Sequence, residues 1–451
     1  MVKIGLEIHG YILTNKKLFC KCKSEHGLKY SKPNINICPI CTAQPGAKPL
    51  LPNKQAINKV IQIALILGCK INEKLVWQRK HYNWPDLPKG YQNTISGPYA
   101  IPIGEKGKFL EIKIREAHLE EDPAAWNPKT GEIDYNRSGS PLIEIVTEPD
   151  FKNSEQVITW LKQLIATLSY IKAIDKNSGI KADVNVSING GERIEIKNIN
   201  SLKNIKTAIE YEIQRQKKEL PKIQETRMFD EKKAITISMR TKEQAQDYRF
   251  ISDPDLPIIK IEKSRIRKIK SALPETPHEK LEKLIKKHKI EKKSAEILIK
   301  KLEIVEFFEK IIEQINPKLT IPWITIELQR VLNYAKKGLE EVEIKAEHFI
   351  ELLRLIEQKA ITELKAKEIL NKFIPRSFSP KQHEKKYAKI SDIKQIEKFA
   401  HQVIKQNQKA VQDYKSGKKE SLNFLIGQVM KLSNKRADFK TVKEILEKML
   451  G

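Results

Sequence analysis

The spacing of apolar residues changes once along this 451-residue chain, near residue 265. Before that point, short runs alternate apolar and polar side chains, as in residues 4–9, which is typical of strands with one buried face. Beyond about residue 275, apolar side chains recur every three or four positions, as amphipathic helices require. The pattern predicts an α+β protein in which a β-rich domain precedes an all-helical region.

Local signals divide the chain further. Three stretches with helical spacing interrupt the β-rich part, near residues 54–67, 154–170 and 202–218. Residues 182–199 have the pattern of a β-hairpin, with Asn-Gly-Gly at the turn. A Pro- and Ser-rich segment at 375–380 interrupts the helical region. We therefore predict three domains, over residues 1–265, 275–378 and 384–451.

Charge is unevenly distributed along the chain. The formal net charge is +27, and residues 384–451 hold 16 basic against 8 acidic side chains, so a polyanion such as RNA is the expected partner. Residues 118–150 are the exception, with eight carboxylates against two basic side chains. Carboxylates concentrated beside a histidine, here His118, commonly bind a divalent cation or transfer protons. A solvated acidic loop is the alternative.

Two pairs of acidic or titratable residues have strand spacing. Glu7 and His9 lie two residues apart on a predicted strand, so their side chains share one face and can converge on one cation or proton. Glu144 and Glu148 also share a face, but in an extended strand they lie roughly 13 Å apart. The second pair therefore cannot bind a single ion together unless the strand bends.

Four of the five cysteines form two close pairs, Cys20 with Cys22 and Cys38 with Cys41. The 15-residue spacer between the pairs is close to that of structural zinc ribbons. The spacing predicts a closed zinc site with four thiolate ligands, and four buried thiols without metal are the alternative. Cys69 lies in an apolar stretch and is expected in the core.

Several motifs are absent from the sequence. It has no Walker A motif, no dinucleotide-binding Gly-x-Gly-x-x-Gly and no Gly-x-Ser-x-Gly elbow, and no activated nucleophile for amide hydrolysis is evident. It has no run of about 18 apolar residues and no secretory leader pattern. We therefore expect a cytoplasmic protein with no membrane-spanning segment.

Ordered motifs along nearly the whole chain resemble one known family. They include Gly-Leu-Glu-Ile-His at 5–9, the four cysteines, Pro-Asp-Leu-Pro-Lys-Gly-Tyr-Gln at 85–92, His-Leu-Glu-Glu-Asp at 118–122, Asp-Tyr-Asn-Arg at 134–137, and further motifs at 141–150, 183–187, 195–201, 247–249, 413–417 and 427–431. The set resembles the B subunit of the tRNA-dependent amidotransferase. A sister family, the archaeal E subunit, carries a large insertion that is not evident here, so the B type is predicted.

The resemblance implies a cradle-shaped catalytic domain, a helical domain and a small helical tail similar to YqeY proteins. It also implies a two-step reaction on Glu or Asp that is esterified to tRNA. ATP phosphorylates the side-chain carboxylate, and ammonia then displaces phosphate to give Gln-tRNA(Gln) or Asn-tRNA(Asn). Phosphorylation is needed because a carboxylate oxygen is a poor leaving group, and magnesium held by carboxylates would neutralise ATP.

The resemblance implies two groups of site residues. The magnesium and phosphoryl site is expected at Glu7, His9 and Glu121, with Glu120 and Glu148 nearby as cofactor-binding residues. The residues expected to orient substrate, phosphate or ammonia are Lys80, Asp183 and Asp253. Two segments depart from the family pattern: residues 81–86 are His-Tyr-Asn-Trp-Pro-Asp instead of Asn-Tyr-Phe-Tyr-Pro-Asp, and Asp253 replaces a glutamate.

The resemblance also implies partners. Ammonia would come from a separate amidase (A) subunit, a small C subunit would complete a heterotrimer, and the helical and tail domains would bind tRNA through its phosphates. Two other functions stay open from the residues alone. One is a non-catalytic zinc-containing RNA-binding protein, which leaves the acidic cluster unexplained. The other is a metal-dependent hydrolase that acts on nucleic acid.

Overall fold

The computed structural model describes residues 1–24, 32–174, 180–241, 248–390 and 392–451. They form two compact units, Met1–Thr276 and Pro277–Gly451. Asp247, from the motif at 247–249, lies outside the described residues. The first unit combines strands and helices and the second is helical, so the predicted α+β class is confirmed. The boundary between the units follows the change in apolar spacing.

Among its described residues, the first unit holds strands of two to ten residues and four helices. The strands are β1 (Val2–Tyr11), β2 (Lys70–Ile71), β3 (Lys74–Leu75), β4 (Gln78–His81), β5 (Tyr91–Thr94), β6 (Gly104–Phe109), β7 (Ile112–Glu121), β8 (Ala125–Trp126), β9 (Ile133–Asp134), β10 (Pro141–Thr147), β11 (Ile180–Ile188), β12 (Ile194–Ile199), β13 (Glu225–Asp230), β14 (Ile235–Thr241), β15 (Arg249–Ser252) and β16 (Ile259–Lys260). The helices are α1 (Lys54–Ile66), α2 (Ser154–Tyr170), α3 (Leu202–Lys218) and α4 (Lys263–Ser271). The first three are the helices that the apolar spacing predicts.

Most of the strands join one mixed sheet, in the order β14-β13-β12-β11-β1-β10-β7-β5-β4-β15. All of these neighbours are antiparallel except β12 and β13. One edge of β7 pairs with β6 along its first part and with β5 near its end. Because β1, β10 and β7 are adjacent, residues from three distant segments of the chain share one face.

Helices cover one face of the sheet and leave the other polar. Ile4, Leu6 and Ile8 of β1 are at most 2% exposed and belong to the same core as residues of α1, α2 and α3. Burying each such side chain stabilises the fold by roughly 1.5–3 kcal/mol. Since successive side chains of a strand point to opposite faces, Glu7 and His9 lie on the polar face.

The predicted hairpin at 182–199 is confirmed. β11 and β12 pair antiparallel, with Val186 opposite Ile194, and both side chains are fully buried. Gly190 adopts a φ of +89° in the turn, a conformation that glycine tolerates at little cost. On the polar face, the Lys197 ammonium contacts Asp183 at 2.6 Å, so the hairpin brings charged groups to the same side as His9.

The second unit is built from helices α5 to α16. They are α5 (Pro277–Lys286), α6 (Lys292–Leu298), α7 (Leu302–Ile312), α8 (Pro317–Pro322), a π-helical turn (Trp323–Leu328), α9 (Gln329–Tyr334), α10 (Ala346–Glu357), α11 (Glu363–Asn371), α12 (Glu384–Tyr387), α13 (Ile393–Gln406), α14 (Gln408–Lys415), α15 (Glu420–Leu432) and α16 (Phe439–Leu450). Side chains between Ile390 and Leu450 form one apolar cluster. The division into domains 275–378 and 384–451 stays a prediction. Among the described helices, none has the length and apolarity needed to cross a bilayer.

Candidate active site

Strand pairing brings two histidines and two glutamates together on the polar face. His9 of β1 lies opposite Glu144 of β10, and Glu144 lies opposite His118 of β7. A single carboxylate oxygen of Glu144 is 3.3 Å from His9 Nε2 and 3.1 Å from His118 Nε2. Glu120 Oε1 approaches His9 Nε2 at 3.8 Å. One ligand atom each from His9, Glu120 and Glu144 lies within 4.8 Å of the others, a spacing compatible with one metal ion.

Burial and mutual charge determine how these groups ionise. Burial alone would lower the pKa of His9, but the hydrogen bond and charge of Glu144, together with Glu120, raise the pKa to about 9. Burial would likewise raise the pKa of Glu144, yet His118 and His9 hold it well below its ordinary value. Burial and the charge of Glu144 raise the pKa of Glu120. The cluster therefore holds an anionic Glu144 between two imidazoles that favour protonation.

His118 fixes the position of Glu144 from behind. Its ring is almost fully buried, and its Nδ1 lies 3.1 Å from Glu116 Oε1 while its Nε2 faces Glu144. Ser96 donates a hydrogen bond to the same oxygen of Glu116. A buried imidazole held between two carboxylates has little rotational freedom. His118 thus orients Glu144 toward His9.

A second acidic group adjoins the first on the hairpin side. Ligand atoms of Glu7, Asp183 and Glu195 lie within 4.8 Å of one another. The Lys197 ammonium already contacts Asp183 at 2.6 Å and Glu195 at 2.5 Å. Burial, followed by the charge of Glu144, raises the pKa of Glu7. Lys197 therefore supplies the counter-charge that a cation would otherwise provide here.

The first cluster borders a cavity of about 760 Å³, within the size range of small-molecule sites, and Asp183 of the second cluster lines it too. Lys80 of β4 reaches this cavity, where its ammonium lies 4.5 Å from the centre of the Tyr248 ring. The charged or titratable side chains that line it are His9, Lys80, Asp86, Glu120, Asp122, Arg137, Glu144, Lys181, Asp183 and Lys197, with tyrosines 11, 82 and 248. The predicted residues His9, Lys80, Glu120 and Asp183 thus meet at one site.

The structure corrects the expected grouping of Glu7, His9 and Glu121: among the described residues, Glu7 belongs to the second acidic group and Glu121 belongs to neither. Neighbouring residues of a strand point to opposite faces, and Glu120 is the one that faces His9. A bulge opposite Val146 and Thr147 inserts one extra residue into β7, so the buried face that carries Ile114 continues with Ala117 and Leu119. Glu121 comes two residues after Leu119 and therefore lies on this buried face, opposite to Glu120.

Glu121 instead lines a second cavity, of about 330 Å³, and is linked to Asp253 through Asn93. Glu121 pairs with the Lys89 ammonium and accepts a hydrogen bond from the Asn93 backbone N–H at 3.0 Å. The Asn93 side-chain amide donates to Asp253, which also pairs with Arg79 at 3.0 Å. The two predicted residues are therefore close to each other but separated by the sheet from His9.

Glu148 lies apart from both cavities. Its carboxylate pairs with Arg115, at 3.1 Å, and is partly exposed to solvent. The Arg115 hydrogen bond lowers the pKa of Glu148. Among the described residues, Glu148 belongs to neither group of potential metal ligands on the polar face. Its assignment as a cofactor-binding residue stays a prediction, and so do the roles of the other site residues.

The four paired cysteines converge as their spacing predicts. The sulfur atoms of Cys20, Cys22, Cys38 and Cys41 all lie within 4.8 Å of one another. Cys41 Sγ accepts hydrogen bonds from the Cys38 backbone N–H at 3.2 Å and from the buried Lys17 ammonium at 3.4 Å. Such donors favour a thiolate, the form that binds zinc. The donor set fits a tetrahedral metal.

The site residues predicted from the sequence did not include Glu144 and His118, although both lie in the acidic segment 118–150. The usable signal was the side-chain alternation of β10, which places Glu144 on the polar face between buried Ile143 and Ile145. His118 could not be found from alternation alone, because the bulge in β7 changes which of its residues lie on the polar face of the sheet.

Comparisons with known proteins give the family. A family model described as the GatB/GatE catalytic domain matches residues 2–267, and one described as the GatB domain matches 306–450. The chain belongs to the GatB family of amidotransferase B subunits. The B subunit of aspartyl/glutamyl-tRNA(Asn/Gln) amidotransferase from Methanococcus maripaludis (strain C5) is 43% identical over 468 residues, which span 100% of this chain and 98% of that protein.

Two other relatives, which are named in the same way, have similar coverage. The protein from Methanocaldococcus jannaschii is 43% identical, across 100% of this chain and 98% of its own. The protein from Methanothermobacter thermautotrophicus is 41% identical over 459 residues, with 100% of both chains covered. The family predicted from the ordered motifs is therefore confirmed, and the family's role in a tRNA-dependent ligase complex favours an enzyme over the non-catalytic RNA-binding alternative.

Proposed function

We propose that this chain activates and amidates the side-chain carboxylate of Glu-tRNA(Gln), Asp-tRNA(Asn) or both, as one component of a larger complex. The observation that carries the proposal is the convergence of His9, Glu120 and Glu144, from three strands, on a cavity that also contains Lys80. The names of the relatives support the class of substrate.

The Glu120 and Glu144 carboxylates beside His9 are the better candidate for magnesium, and His9 can serve as a further ligand only after it gives up its proton. Carboxylate oxygens are the ligands that hard cations prefer, and this group faces an open cavity. In the purely acidic group around Glu7, Lys197 already pairs with two of the three carboxylates, those of Asp183 and Glu195. When bound, the ion would offset the negative charge of ATP and of the transferred phosphoryl group. His118 would keep the Glu144 carboxylate in place for it.

The proposed reaction follows from the chemistry of the substrates. A carboxylate oxygen of the aminoacyl side chain attacks the γ-phosphorus of ATP, and the bond to the β-phosphate oxygen breaks. ADP departs, and the side chain becomes an acyl phosphate. Ammonia then attacks the acyl carbon, phosphate departs with the electrons of the C–O bond, and the nitrogen loses a proton. Lys80 and Lys181, which line the cavity, are placed to contact phosphate oxygens.

We further propose the partners and the structural metal. An amidase subunit would release ammonia from glutamine, and a small third subunit would complete a cytoplasmic heterotrimer. The helical unit, including the basic residues 384–451, would bind the tRNA phosphates. The cysteine cluster would hold one Zn²⁺, whose four ligands leave no open position for catalysis.

The test compares two glutamate variants in the purified complex, supplied with ATP, magnesium, ammonium chloride and each misacylated tRNA. Glu144→Gln should lower kcat by about 100-fold or more while the Kd for tRNA stays the same, because it removes an anionic ligand of the proposed magnesium ion. Glu111→Gln is the control, since Glu111 is exposed and contacts only Lys108 among described residues. Full activity of Glu144→Gln would refute the assignment.

The same assay separates the other two functions. A wild-type complex that binds tRNA but forms neither ADP nor amidated product would be a non-catalytic RNA-binding protein. Cleavage of tRNA in the presence of magnesium without ATP turnover would indicate a nucleic-acid hydrolase.

A further inference from the structure

An exposed tryptophan stands at the cavity that holds His9, Glu120 and Glu144. Trp84, in the loop between β4 and β5, is 53% exposed and lines this cavity. An exposed aromatic ring on the wall of a polar cavity offers a flat surface against which a ligand can stack.

The position of the Trp84 ring is fixed by a second tryptophan. Trp126, on the short strand β8, packs against it with ring centroids 5.6 Å apart and an interplanar angle of 87°. Such T-shaped pairs are among the preferred aromatic geometries. They cover part of each ring but leave a face of the exposed partner accessible. Trp84 is therefore both held in place and open to solvent.

The wall of the cavity near Trp84 combines aromatic and basic groups. Tyr82 and Tyr248 form another T-shaped pair, with centroids 5.6 Å apart, and the Lys80 ammonium lies over the Tyr248 ring. All four side chains line the same cavity. Aromatic faces beside a cation are the combination by which proteins bind bases together with their phosphates.

We infer that Trp84 is the stacking surface for an adenine base of a substrate at this site. The inference rests on the proposed function, since ATP and the 3′-terminal adenosine of every tRNA both carry adenine. Its phosphates or ribose would then extend toward Lys80 and the candidate magnesium ligands. Stacking suits this role because each base presents a flat π face, whatever its source.

The test uses Trp84→Ala and Trp84→Phe in the complete complex. The control is Tyr99→Ala, because Tyr99 is 54% exposed and is not among the residues that line this cavity. We would measure kcat and KM for ATP and for misacylated tRNA, and the Kd of a non-hydrolysable ATP analogue. In a second arm, the Kd would be compared for tRNA with and without its terminal adenosine.

Trp84→Ala should raise KM and Kd for ATP, or those for tRNA, by roughly tenfold or more. Trp84→Phe should recover most of the lost affinity, because phenylalanine still stacks. A change in the ATP constants alone assigns the base to ATP. A change confined to tRNA that retains its terminal adenosine assigns it to the tRNA end. Behaviour of Trp84→Ala identical to Tyr99→Ala, or dissociation of the complex with normal nucleotide constants, would overturn the inference. Absence of ATP-dependent amidation in the wild type would instead overturn the proposed function.

Discussion

Replacing Lys17 by methionine is expected to weaken zinc binding by the cysteine cluster. Lys17 is 1% exposed, and its ammonium donates to Cys41 Sγ at 3.4 Å and to the Tyr135 carbonyl at 3.1 Å. Within the part of the chain that the structure describes, no carboxylate forms an ion pair with it. Burial of an ammonium without counter-charge costs several kcal/mol, so Lys17 favours the state in which the sulfurs are anionic.

The size of the effect follows from the contact that is lost. A hydrogen bond to a charged group contributes about 1.5–3 kcal/mol, which corresponds to a loss of zinc affinity of roughly 10- to 150-fold. The metal-free protein should respond in the opposite direction. Methionine has a similar length and no charge to desolvate, so Lys17→Met should leave the metal-free Tm unchanged or higher. The increase in Tm on adding zinc should therefore shrink.

The assay is zinc transfer to a chromophoric chelator, together with thermal melts in the presence and absence of zinc. Lys21→Met is the matched control, because Lys21 is exposed and lies between two of the same cysteines. Equal zinc retention by Lys17→Met and Lys21→Met would refute the reasoning about Lys17. A wild-type protein that binds no zinc would refute the metal assignment itself.

Three further predictions concern stability, and one concerns tRNA binding. Gly107→Ala would place a Cβ 2.5 Å from the Leu67 carbonyl oxygen, so urea titration should show a loss of about 1–3 kcal/mol; unchanged stability would contradict the packing. Gly427→Ala should instead add about 0.5–1 kcal/mol, because this helical position has no other atom within 4 Å of the added methyl, and a loss would contradict this. The hydrogen bond from Lys389 lowers the pKa of Asp438 and outweighs burial, which acts in the opposite direction. The extra stability of the wild type over Asp438→Asn should therefore be present at neutral pH and be lost below about pH 4. A stability difference that does not depend on pH would exclude this role of Lys389. The logarithm of the Kd for tRNA should rise linearly with the logarithm of salt concentration, and binding insensitive to salt would rule out phosphate contacts.

Local patterns were enough to predict much of the fold. Helices α1, α2 and α3 and the hairpin of β11 and β12 follow from spacing and turn residues, which depend only on neighbours in the chain. The two cysteine pairs also predicted their own convergence, since each pair is close in sequence. The ordered motifs predicted the family, because each motif is a short segment that can be recognised in the sequence without knowing which residues are in contact.

Tertiary structure alone decided which side chains meet at the site. His9, Glu120 and Glu144 come from strands that are distant in sequence, and their contact depends on β1, β10 and β7 being neighbours. The bulge in β7 then selects Glu120 and places Glu121 on the opposite face. Alternation in the sequence fixes side chains relative to their own strand, but pairing and bulges set the face that each strand presents, and these depend on the packing of the whole sheet.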